Sequence, residues 1–390
     1  PFGLRSQYLA GGVDAGWTTW APDGRFVSDY ATESFAQNIT PVFDYYMLLH
    51  SSPIAAGDEG DRDYATLNDT AIMARYFADL RTFFQRAAAA GPRTVVLHFE
   101  PDLWGFIQRR ALFSDPALVP VKVGSTAFDG LDGLPDSAVG LARAIVSLRD
   151  RYGPNVLLAY HLSSWGTGQD ILYLKPPLDT VELLAHGASA FYASLDASFD
   201  LVFAESSDRD AGFKVAEYGD RAAWWGEDDY ARNVRFLATF ARDTGKRIVL
   251  WQMPIGNTKM RAVNNTWGHY QDNHVEWLLD DPSRAHLRAY ADAGVVGAIF
   301  GPGGSGATCA CDALHDGVTD PSPINGNVAR SFNADDDGGF FRARAAAYYA
   351  AGALELPHTP NAPAEVRAEP CLMPFDGMPR LCEGRRQRRR

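Results

Sequence analysis

Seven short apolar runs, spaced roughly 40 to 60 residues apart and separated by stretches of helical periodicity, constrain the fold of this chain more than any other feature. They are LRSQYLAG from Leu4, PVFDYYMLL from Pro41, TVVLHFE from Thr94, NVLLAYHL from Asn155, FDLVFAES from Phe199, RIVLWQ from Arg247 and VVGAIFG from Val295. Between Asn68 and Gly91, Met73, Tyr76, Phe77, Leu80 and Phe84 keep the spacing of one helix face, and Gly91-Pro92 supplies a stop. Glu227 to Gly245 repeats the pattern with Tyr230, Val234, Leu237 and Ala241. Apolar strands alternating with helices imply a parallel sheet covered on its faces. The expected class is α/β, a TIM-like (β/α) barrel over residues 1–352, either regular and eight-stranded or distorted and seven-stranded, because no clean eighth run is visible. A flat doubly wound sheet is the runner-up. No strand-to-helix turn carries GxGxxG or a Walker A pattern, and the GPGGSG loop at Gly301–Gly306 has no Lys-Ser/Thr after it. Beyond Gly352 the chain turns Pro-rich and loses periodicity, which predicts an extended tail over 353–390.

A formal charge of −12 argues against nucleic acid or an anionic membrane as partner, since both are bound through clustered Lys and Arg. The exception is local: five Arg fall in the last six residues, a pattern usual for a solvated tail. No apolar run reaches the roughly 20 residues of a membrane span. Four cysteines make no zinc pattern, and Cys371 and Cys382 flank a loop that closes easily. A bridge between them and a secreted or extracytoplasmic setting are therefore expected, in keeping with a first residue that is Pro1 rather than Met.

Every run after the first ends in residues a plain core would not choose. The third gives His98, Glu100 and Asp102, with Trp104 beyond; the fourth His161, Ser163, Ser164 and Trp165; the fifth Glu205 and, in an SSDRD turn, Asp208; the sixth Trp251, Gln252 and Asn257. Polar strand ends gathered at one rim are how such barrels present a site. If the pleat of the third strand persists, Glu100 and Asp102 share a face. Cleaving an acetal needs one protonated carboxyl and one ionised carboxylate across a sugar ring. Glu100 or Asp102 as proton donor, with Glu205 opposite, can supply that pair without metal or cofactor. Carbohydrate is the expected partner, stacked on Trp104, Trp165 and Trp251, while Trp224 and Trp225 lead into a helix. The NNTWGHYQDN loop, residues 264–273, offers His269, Gln271, Asp272 and Asn273 to sugar hydroxyls, or else caps the next helix through Asp272 or Asn273, and Trp267 is a further candidate stacking ring.

Three short motifs, in order, make the chain resemble family 6 glycoside hydrolases, secreted cellulases with a distorted seven-stranded barrel. These are GDRDYA at Gly60–Ala65, EPD at Glu100–Asp102 and GPGG at Gly301–Gly304. The resemblance implies Asp102 as catalytic acid and Asp63 as its supporting carboxylate. The family's carboxylate after the third motif has no counterpart here, and AYHLSSWG stands where the family has YLDAGH. Two readings stay open beside hydrolysis by carboxylates: a metal-dependent sugar isomerase or hydrolase with His98, Glu100, His161 and Glu205 as ligands, and a carbohydrate-binding barrel without chemistry.

Overall fold

The computed structural model describes residues 2–206, 210–258, 271–301 and 340–357. All seven apolar runs are strands: β1 (Leu4–Leu9), β2 (Thr40–Tyr45), β3 (Val95–Phe99), β4 (Val156–Leu162), β5 (Leu201–Glu205), β6 (Ile248–Pro254) and β7 (Val295–Gly301). They pair in parallel in sequence order, β1 to β7. The sheet curls into a nearly closed barrel. Among the described residues β1 and β7 share no ladder, and side chains span the seam. Leu4 lies against Gly297, its Cδ1 3.6 Å from where a side chain would begin, and higher up Gln252 Nε2 donates to the Tyr8 hydroxyl at 2.7 Å.

The helices between the strands are α1 (Phe26–Ala36), α2 (Glu59–Leu67), α3 (Thr70–Ala89), α4 (Leu103–Arg110), α5 (Ala138–Tyr152), α6 (Ile171–Leu174), α7 (Leu178–Ser194), α8 (Ala211–Tyr218), α9 (Glu227–Thr244), α10 (His274–Leu279) and α11 (Ala285–Asp292), with α12 (Phe340–Ala350) after β7. Helix α3 starts where Asp69 accepts the amides of Ala71 and Ile72, and it buries the predicted stripe Met73, Tyr76, Phe77, Leu80 and Phe84 against the sheet. Helix α9 ends at Gly245, whose φ of 68° is the left-handed stop glycine favours.

Two apolar layers follow. The larger lies between sheet and helices; the smaller fills the barrel with Val42, Val96, Ala159, Phe203 and Val249 from five successive strands. No helix among the described residues is long and apolar enough to cross a membrane. Cys309, Cys311, Cys371 and Cys382, the Arg-rich end, the glycine-rich loop beyond Gly301 and the tail beyond residue 357 lie outside the described residues.

Candidate active site

The site follows from the barrel core by one pleat. Two positions beyond each apolar interior residue stands a polar or aromatic one: Asp44 after Val42, His98 after Val96, His161 after Ala159, Glu205 after Phe203 and Trp251 after Val249. Side chains two apart on a strand share a face. The C-terminal layer of the barrel is therefore polar and aromatic while the layer beneath it is hydrophobic.

Within that layer the polar groups form a buried column. Asp44 Oδ1 is 2.7 Å from His98 Nδ1 and accepts the Trp251 indole N–H at 3.0 Å; His98 Nε2 is 2.8 Å from His161 Nδ1. Burial pushes His98 down to about 4, so it is neutral near pH 7. With its Nδ1 proton assigned toward Asp44, His98 Nε2 accepts from His161, and the column presents His161 Nε2 toward the cleft. That nitrogen lies 3.4 Å from Asp102 Oδ1, without hydrogen-bond geometry.

The chain leaves β3 through Glu100-Pro101-Asp102, and here the expected pleat fails. Strand β3 stops at Phe99, and Glu100 and Asp102 adopt φ of 42° and 71°, positive values that non-glycine residues reach only under surrounding constraint. The two carboxyl groups consequently part. Asp102 lines the cleft and accepts Ser163 Oγ at 3.1 Å. Burial would raise its pKa, but the His161 contact and Ser163 outweigh burial and hold it below the ordinary value. Glu100 instead turns toward α3 and the segment after β2, accepting Tyr76 Oη at 2.7 Å and the amides of Met47 and Leu48 at 3.2 and 3.3 Å. The assignment of Glu100 as a cleft acid is thereby corrected: it is a buried acceptor, pushed up to about 8 by burial despite these three donors. Asp63 of α2 is buried beside it and rises to about 9, through burial first and then the neighbouring Glu100 and Glu59.

The cleft at this rim has a volume of ≈ 570 Å³. Glu59, Asp102 and Glu205 contribute carboxyl groups to its wall, and Tyr8, Trp165 and Trp251 contribute rings. Phe106 supports Trp165 at a centroid distance of 4.8 Å. Glu59, in the first turn of α2, accepts the Tyr46 hydroxyl at 2.6 Å; burial raises its pKa more than that bond lowers it, and Asp102 raises it further. Ligand atoms of Asp102, His161 and Glu205 all lie within 4.8 Å of one another.

Of the residues expected from sequence, Asp102, Glu205, Trp165, Trp251 and Gln252 line this cleft, and His98 and His161 stand directly beneath it. Trp104 does not: it is fully buried between sheet and helices against Phe99, Tyr160 and Phe199, so the sugar platform assigned to it is corrected to core. Asp272 is corrected in the same way: it is fully buried, and its carboxyl accepts the amides of Ala211 and His274 rather than facing the cleft. Nor do the four ligands of the metal reading converge, since His98 is committed to Asp44 and Glu100 to Tyr76. Trp267, His269 and Asp208 lie outside the described residues. Trp225 lines the cleft although it reads as helix lead-in. Sequence reasoning also missed Asp44 and Glu59. Asp44 carries a signal, a lone carboxyl inside an otherwise apolar buried run, which must find a partner. Glu59, in an acidic surface-like stretch, carries none.

No protein-family model matches the chain, and no curated protein matches it. Among solved structures it is similar to an engineered protein determined at 1.98 Å, with 13% identity over 72% of this chain and 52% of that chain and a TM-score of 0.40. This chain thus spans about half of that one. It is also similar to a chain of the tryptophan synthase α2β2 complex from the hyperthermophile Pyrococcus furiosus, with 12% identity over 76% of this chain and 87% of that chain and a TM-score of 0.26. Neither likeness is close enough to bear on function.

Proposed function

We propose that the chain hydrolyses a glycosidic bond of a poly- or oligosaccharide in this cleft. The observation that carries the reading is the coincidence, in one open groove, of the carboxyl groups of Glu59, Asp102 and Glu205 with the rings of Tyr8, Trp165 and Trp251. Two of those carboxyl groups are pushed apart in acidity, Glu59 upward by burial and Asp102 downward by His161 and Ser163. A protonated and an ionised carboxyl beside one binding site are what protonating a leaving oxygen and stabilising the sugar cation require. The donor role accordingly falls to Glu59, with Asp102 as the ionised carboxylate and Glu205 beside it on the wall. The similarity to family 6 enzymes supports a polysaccharide substrate and brings Asp63 close to Asp102, but it would make Asp102 the acid, against its lowered pKa. Action outside the cytoplasm rests on the cysteine pattern alone.

The test is a panel of soluble polysaccharides and oligosaccharides read by release of reducing ends. At least one should be cleaved by the parent protein. Glu59→Gln should lose most of that activity yet keep turnover of an activated aryl glycoside, whose leaving group needs no proton. A parent protein inert on the whole panel overturns the proposal.

A further inference from the structure

We infer that Asp102, His161 and Glu205 form a binding site for one divalent first-row transition cation at the mouth of the barrel. The three ligand atoms lie within 4.8 Å of one another on β4, at the end of β5 and in the turn after β3. Proximity of acidic groups alone says little. The decisive observation is His161 Nε2, a fully buried nitrogen aimed at this point with no hydrogen-bond partner among the described residues. A buried imidazole nitrogen left unpaired is costly.

The column beneath explains which form of that nitrogen is offered. Asp44 accepts from both Trp251 and His98, so His98 Nε2 receives the Nδ1 proton of His161, and His161 Nε2 is left with its lone pair. With His161 neutral, that lone pair faces the carboxylate oxygen of Asp102 at 3.4 Å and is repelled unless something positive, a proton or a cation, lies between them. A cation bound at roughly 2.0–2.2 Å from each atom resolves this, and rotation of the half-buried Glu205 side chain completes the set. The outer contacts also match a metal centre. A ligating imidazole commonly donates its other N–H into a chain ending on a carboxylate, here through His98 to Asp44, and a ligating carboxylate is itself hydrogen-bonded, here by Ser163. One imidazole and two carboxylates suit the range from Mn²⁺ to Zn²⁺. Three protein ligands with an open groove above them leave positions for water or for the hydroxyl groups of a substrate.

The inference shares its cleft with the proposed hydrolysis but is tested apart from it. The full chain, stripped with a chelator and dialysed, is titrated calorimetrically with Zn²⁺ and separately with Mn²⁺. One ion per chain should bind with micromolar or tighter affinity. His161→Gln and Glu205→Gln should each weaken binding by about 100-fold or more, and Asp44→Asn, which touches no ion, by about 10–100-fold. Circular dichroism checks each fold, and the half-buried Glu205 variant keeps the test open if His161→Gln misfolds. Absence of stoichiometric binding of either ion, or unchanged binding in a folded Glu205→Gln, overturns the inference. Glycan cleavage that survives chelation in a protein that binds no ion would leave the proposed hydrolysis standing alone. A protein that binds one ion and cleaves no glycan would do the reverse.

Discussion

Replacing Asp102 by Asn should lower turnover of a responsive glycan by roughly 10²–10⁴, the usual worth of a positioned acid, base or nucleophile. The substitution keeps shape and the acceptor for Ser163 Oγ while removing the negative charge. Because Asp102 is the cleft carboxyl held ionised, its loss should fall on kcat rather than on KM, and far-UV circular dichroism should match the parent. Glu100→Gln is the informative companion. Glu100 was an equal candidate from sequence, yet its carboxyl faces α3, so its replacement should alter stability and leave kcat within a few-fold of the parent. A large kcat loss in Glu100→Gln with a near-parental Asp102→Asn would reverse the assignment.

The second large effect is on stability against pH. Asp63 and Glu100, adjacent and buried, have acidities moved from 3.8 and 4.5 to about 9 and about 8 in the folded chain. Both therefore hold a proton when folded over a range in which the unfolded chain releases it. Stability associated with them is fully present below about pH 4 and is lost as pH rises through 8 and 9. The parent's melting temperature should accordingly fall between those limits. Asp63→Asn, neutral at every pH and nearly the same size, should flatten that fall and melt about 1–2 °C or more above the parent at pH 9, the displacement expected from roughly 1–2 kcal/mol in a chain of this length. Equal slopes for parent and variant from pH 5 to 9 would show that Asp63 is ionised in the fold.

How far the sequence could be read is clearest on β3. VVLHF was legible as a strand because β-branched and apolar residues run unbroken, and its polar end was legible as rim. The side each carboxyl would take was not. The pleat argument assumed extended backbone through Glu100, whereas Pro101 sits between two residues of positive φ, and nothing local marks a glutamate for that conformation. Trp104 failed for a related reason: once the chain turned at Asp102 into α4, the position two residues on faced the sheet and an indole suited the core. Glu59 was invisible because its significance lies in a contact with Tyr46 across a loop, not in its neighbours along the chain.

The stacking of the barrel interior has a consequence for how such a protein can change over time. Val42, Val96, Ala159, Phe203 and Val249 hold one level, and Asp44, His98, His161, Glu205 and Trp251 occupy the next, on the same five strands. Chemistry and cohesion are thus separated by about one pleat along each strand rather than distributed among different strands. Substitutions in the upper level can explore new ligands while the lower level keeps the sheet curled, although Phe203, packed 4.5 Å from the His98 ring, ties the two levels together. A lineage built on this plan can vary the rim level more freely than the level beneath it, and duplicated copies could diverge at the rim long before they diverge in shape.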